Sequence, residues 1–220
     1  MKQTRLDALA DGIFAITMTL LVFEIRVPEF PAGIDSSTLW VSIVTLYPFF
    51  LSYLLSFSLL FTYWRSHHYI ASVLAKNIDI RFTNLNALFF LFVGLVPFSS
   101  QLLGKYNTTE TAIVFFASNV ILIGLSLFAM RVYVLRSPNI ENIVVTKREN
   151  QHAYVRILLP VVAAIIAIVV SFYNKQSALI FFTLAIFFNV SARSTTYFFM
   201  IVDLFKSKKQ REQELQEYVK

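Results

Sequence analysis

The chain has 220 residues, 57% of them hydrophobic, with 23 phenylalanines, only five glycines and a mean hydropathy of +0.65. A soluble domain that must still present a polar surface is excluded by this balance, which points instead to an integral membrane protein. The net charge of +6 would suit nucleic acid, but the bases sit where membrane topology needs them; with no cysteine, disulfides, thiolate metal sites and cysteine nucleophiles are excluded as well.

The first apolar stretch, residues 5–27, is long enough to cross a bilayer yet carries Arg5, Asp7, Asp11, Thr17 and Thr19, which a plain anchor does not need. Its amino end holds acids as well as bases and no small-residue cleavage pattern follows, so a retained helix is expected and not a cleavable signal. Further apolar stretches follow at 39–64, 82–103, 111–135, 155–173 and 178–204, each near the ~17–25 residues of a spanning helix. Open sheets are excluded in lipid because their edge amides would lack partners, so the expected fold class is an all-α membrane protein with six transmembrane helices. The connections carry breakers such as Pro28, Pro31, Gly33, Asn77, Asp79, Gly104, Pro138 and Asn174. Residues 1–205 form the expected membrane domain, and 206–220, rich in mixed charge, a solvated cytoplasmic tail.

Orientation follows from Lys and Arg, which cytoplasmic ends retain during insertion. Lys2 and Arg5, then Arg65, Lys76 and Arg81, then Arg131, Arg136, Lys147, Arg148 and Arg156, and finally Lys206, Lys208, Lys209 and Arg211 all fall on one side. The other side holds Arg26, Lys105 and Lys175 with the acids Glu24, Glu29, Asp35 and Glu110. Both termini are therefore expected in the cytoplasm of a multi-pass cell-membrane protein.

At about 100° per residue, Ile16, Thr19 and Phe23 share one stripe of the first helix, with Gly12 a turn below, while Asp11 points elsewhere. Periodicity alone favours ordinary helix packing for that stripe, and leaves Asp11 divided between an interfacial charge and an internal partner.

Arg5, three residues, Leu9-Ala10-Asp11 and then GIFAITMTLLVFEIRVP resemble the opening helix of the transmembrane protein 175 family of potassium-permeable channels. In that family the helix starts with Arg, three residues and Phe-Ser-Asp, so Leu9 and Ala10 depart from the pattern. YWRSHHY at 63–69 and NLNALFFLFVGLVPFSSQLLG at 84–104 extend the likeness; over the last three stretches it is one of topology only. The resemblance implies a homotetramer in the bilayer whose first helices line a central pore, with no carbonyl filter; the chain contains no Thr-Val-Gly-Tyr-Gly segment. Counting from Asp11, it puts the hydrophobic constriction at Ile16, a polar ring at Thr19 and an outer ring at Phe23.

The function so implied is a potassium-permeable cation channel, not an enzyme, with no cofactor and no nucleic-acid partner; K+ would pass Ile16 and Thr19 transiently, without a fixed metal site. Arg5 and Asp11 are expected to join Trp64, His67, His68 and Asn84 in a buried network that sets the angle of the pore helix, with the histidines biasing the gate near neutral pH. On general grounds His67 and His68 are more simply interfacial side chains. Glu24 and Glu29 stand at the outer mouth, where plain loop acids compete with a cation-concentrating role. Asn119, Ser126, Asn189, Ser191 and Arg193 favour interhelical packing over a substrate path, and Asp7 and Thr17 have no assigned job. A secondary transporter or a proton-permeable cation pathway is the competing function; a carrier would bring internal repeats and broken helices.

Overall fold

The computed structural model describes residues 3–29, 33–191, 195–197 and 199–200. Helix α1 spans Gln3–Leu20 and tightens into a 3₁₀ turn over Leu21–Glu24. Gly33, at φ +93°, serves the following turn, where a side chain would be strained. Asp35 then caps α2 (Ser36–Thr45), its carboxylate accepting from the Ser37 and Thr38 amides and from both hydroxyls. These hydrogen bonds hold the Asp35 pKa down at about 2, those of Ser37 foremost.

Pro48 lies in the first turn of α3 (Tyr47–His68), where the missing N–H is harmless, and α2 and α3 meet at a 45° bend. A π-helical turn, Tyr69–Leu74, extends α3. Asp79 caps α4 (Ile80–Gly94), accepting from the Phe82 amide at 2.8 Å and from the Tyr133 hydroxyl. The third predicted stretch is not one continuous helix. It breaks at Leu95 and resumes as α5 (Val96–Lys105), because Pro97 has no N–H to donate and its ring crowds the preceding turn.

Thr109 caps α6 (Glu110–Arg136), and a Thr146–Glu149 capping box opens α7 (Lys147–Ser171), well before the predicted start at Val155. Asn174 caps α8 (Lys175–Val190), which packs back on α7 and also meets α3. Arg193, the end of the sixth predicted stretch and the 206–220 tail lie outside the described residues.

The molecule is built around α6, which packs on α4, α5 and α7. Its residues Phe116, Val120, Ile123, Leu127 and Met130 are buried, and Gly124 lets α7 and α3 approach closely. A Cβ on Gly124 would stand 2.3 Å from Val161 Cγ2 and 2.8 Å from the Tyr63 hydroxyl. Small residues Ala163, Ala164 and Ala167 continue this close seam on α7, the usual device where lipid gives no hydrophobic drive for helices to associate. The 75–77 and 139–142 connections close one end, through the Lys76–Glu141 ion pair at 2.8 Å and the Asn77 side chain, which donates to the Asn139 carbonyl and accepts from the Glu141 amide.

Helical segments occupy all six predicted stretches, and no strand forms among the described residues. Among the described residues four helical spans are long and apolar enough to cross a membrane, or five if the bent α2–α3 pair is one span; α8 is shorter. The protein is a multi-pass membrane protein.

Candidate functional site on helix α1

Helix α1 turns one stripe inward: Leu6, Ala10, Phe14 and Thr17, continued by Leu21, are buried against the rest of the chain. Thr17 thereby acquires a place in the packing seam that polarity alone had not suggested. The opposite stripe, holding Arg5, Gly12, Ile16 and Thr19, is exposed, with Ile16 at 61% and Phe23 at 72%. Only 28% of the apolar window of this span is buried, against 56% for α6, so α1 lies at the margin of the protomer. A Cβ on Gly12 would meet nothing within 4 Å.

Two details refine the stripe. The Thr19 hydroxyl donates to the Ala15 and Ile16 carbonyls, both at 2.9 Å, so its proton is taken by the helix and its oxygen, on an exposed residue, keeps its capacity to accept. Phe23 lies in the 3₁₀ turn, where each residue advances about 120° in place of about 100°. It is therefore rotated out of strict alignment with Ile16 and Thr19, although it remains exposed.

At the other end of α1 the residues expected to form one buried network divide into two groups. Asp11 is exposed and accepts a 2.9 Å hydrogen bond from Trp64 Nε1 of α3, and the Trp64 ring stacks on His68 at 6.0 Å, whose Nδ1 lies 3.3 Å from Ser72 Oγ. Arg5 is exposed and unpaired with Asp11: six positions apart, the two residues diverge by about 120° around the helix.

His67 belongs to the second group and is 1% exposed. Its ring stacks on Phe89 at 5.2 Å and tilts against Phe90 and Phe14, and its Nε2 lies 2.7 Å from Asn86 Oδ1. The Asn86 amide donates to the Phe82 carbonyl at 2.8 Å, which turns its oxygen to the ring and makes Nε2 the donor. Asn84, expected in this role, is exposed, because residues two apart on a helix face nearly opposite ways. The signal for Asn86 was present: it continues the apolar stripe Phe82, Phe89 and Val93 and so faces the core with them.

Gln3 also went unnoticed. Its amide donates to the Ala71 and Ala75 carbonyls, tying the start of α1 to the π turn after α3. At the far end Glu24 is half-buried, with Arg26, Gln101 and Lys105, in a cavity of about 430 Å³, and one of its carboxylate oxygens has no hydrogen-bond partner. Asp7 likewise keeps one buried oxygen unpartnered.

Residues 5–97, which hold α1 to the start of α5, match the family described as endosomal/lysosomal potassium channel TMEM175. A potassium channel of Chamaesiphon minutus is 39% identical over 102 residues, 46% of this chain and 49% of that protein. The chain thus spans about half the length of that relative, whereas a potassium channel of a Chryseobacterium species aligns at 26% identity over 84% of this chain and 90% of its own. Among solved structures, a lysosomal potassium-selective channel TMEM175 homolog from Chamaesiphon minutus superposes with a TM-score of 0.72 at 27% identity, covering 87% of this chain and 97% of that one. The sequence match is concentrated on α1 to α5 and the structural match runs through nearly the whole bundle, so the chain is similar to TMEM175 channels in both sequence and fold.

Proposed function

We propose that the protein is a cation channel subunit, permeable to potassium, and that four copies enclose a pore lined by α1. The observation that carries this reading is the exposure of Ile16, Thr19 and Phe23 on the side of α1 turned away from the protomer's own packing, in a chain whose relatives above are potassium channels. One helix cannot enclose a path by itself, so copies must assemble around it. Helix α8 belongs to the sixth crossing, and both termini face the cytoplasm, in keeping with the Lys and Arg bias.

In this arrangement the Ile16 side chains form a hydrophobic constriction that closes by dewetting and opens when the helices rotate or splay. Aliphatic carbons offer an ion no ligands, so passage requires partial dehydration, which costs potassium less than sodium; the preference is modest. The hydroxyl oxygen of Thr19 replaces part of the lost water just beyond the ring. Phe23 lines the wider outer segment. Glu24 adds negative charge at the mouth, moderated by Arg26 and Lys105 in the same cavity. The Asp11–Trp64–His68 chain and the caged His67 hold the angle of α1 without touching the ion.

The test is liposome flux of the purified protein for potassium and sodium. Ile16→Asn, by wetting the constriction, is expected to raise flux and lower the potassium preference; unchanged flux and unchanged preference would remove Ile16 from the gate.

A further inference from the structure

A cavity of about 240 Å³ opens where the ends of α3, α6 and α7 meet, on the side of the bundle rich in Lys and Arg and away from the exposed stripe of α1. Arg65 of α3, Arg131 of α6 and Arg156 of α7 all line it, together with Ser66, His68 and Tyr69, and among the described residues no carboxylate does. Arg131 is 1% exposed, and its Nε and Nη2 donate to a neutral partner, Asn150 Oδ1, at 3.2 and 3.0 Å. The rings of Tyr69 and Tyr154 cover its guanidinium at 5.8 and 5.6 Å. Tyr69 reaches that position from the π turn after α3, an irregularity that recurs at functional sites. The Arg65 Nε and Nη2 are buried with no hydrogen-bond partner, although the guanidinium lies 6.0 Å over the Phe61 ring.

Buried donors on a fixed charge are costly unless something accepts from them, which leaves the Arg65 donors unsatisfied and the Arg131 charge beside a neutral partner until an anion enters. Guanidinium forks match the oxygens of a tetrahedral oxyanion, and a serine hydroxyl and an exposed histidine stand beside them. We infer that this cavity is a binding site for a phosphate group, bridging α3, α6 and α7 at the level of the membrane surface. Two sources carry that chemistry: the headgroup of an anionic phospholipid and free phosphate. His68 lines the cavity and also stacks on Trp64, so an anion bound here contacts the chain that reaches Asp11 on α1.

The inference is independent of ion conduction and is tested by binding. The full-length protein in detergent is titrated by calorimetry with dioctanoyl phosphatidic acid, inorganic phosphate and dioctanoyl phosphatidylcholine. Phosphatidic acid is expected to bind, and Arg65→Gln to weaken it about tenfold or more through loss of a charge-assisted donor set. Phosphate binding with the same dependence on Arg65 identifies a free-anion site, and phosphatidic acid binding alone identifies a headgroup site. Val73 lines the same cavity and is 44% exposed, so Val73→Glu places a carboxylate there without disturbing the core and is expected to abolish binding even where Arg65→Gln does not fold. Wild-type protein that binds neither phosphate nor phosphatidic acid, or a Val73→Glu variant that binds as tightly as wild type, overturns the inference.

Discussion

Helices α1 and α6 each belong to a span long and apolar enough to cross a membrane, yet the molecule uses them in opposite ways. Around α6 the chain's own helices take up most of the surface, and even a backbone approach is exploited at Gly124, against Val161 and Tyr63. Around α1 only one stripe is used, and the face holding Gly12, Ile16 and Thr19 is exposed, with nothing within 4 Å of a Cβ placed on Gly12. Where most of a helix is packed within the protomer, packing accounts for its buried residues. Where half of it is left bare in a membrane protein, and the bare half carries a threonine and an arginine, the pore proposed above gives those residues a role that packing does not.

The comparison can be broken most forcefully at the glycines. Gly124→Val forces the α6–α7 seam apart and is expected to cost about 3 kcal/mol, read as a large fall in thermal stability in detergent. The same probe on α1, Gly12→Ala, is expected to leave that stability unchanged or slightly raised, since alanine favours the helix and nothing stands in its way. Comparable losses at both glycines would erase the distinction between the two helices.

Next in size is the histidine cage. Asn86→Leu leaves the His67 Nε2 donor buried without a partner, at a cost of about 1–3 kcal/mol, whereas Asn84→Leu, on the exposed side of α4, should cost almost nothing. The smallest effect is expected at the link between α1 and α3. Asp11→Ala frees Trp64 Nε1, which remains near water, so the loss is about 1 kcal/mol. Size-exclusion chromatography and flux should then show weakened assembly before any change in potassium over sodium preference. A well-assembled variant with altered preference would put Asp11 in the ion path.

Much of this division was legible in the sequence. Hydropathy marked the helical stretches, and the spacing of Ile16, Thr19 and Phe23 placed them on one side of α1. What hydropathy could not show was the charged start of α7, where Thr146 and Glu149 set the boundary through hydrogen bonds and not apolarity. It also passed over the break at Leu95, because Pro97 interrupts the backbone without changing the apolar character of the stretch. At the site, Asn84 was expected beside the histidines, but helix register decides which asparagine faces α3, and the buried Phe82–Phe89–Val93 stripe selects Asn86. Arg5 and Asp11 looked like partners by charge; their angular separation on the helix keeps them apart. The arginine cavity had no linear signature, since its three guanidiniums come from three helices.

The central claim, that the bare stripe of α1 faces an ion path, is tested most directly by chemistry that the chain itself lacks. The sequence contains no cysteine, so Ile16→Cys and, on the exposed side of α6, Leu122→Cys each introduce a single thiol. Silver ions added during potassium flux from liposomes should stop transport through Ile16→Cys and leave Leu122→Cys and the parent protein unaffected. Continued flux through Ile16→Cys, or equal block of Leu122→Cys, would contradict the account.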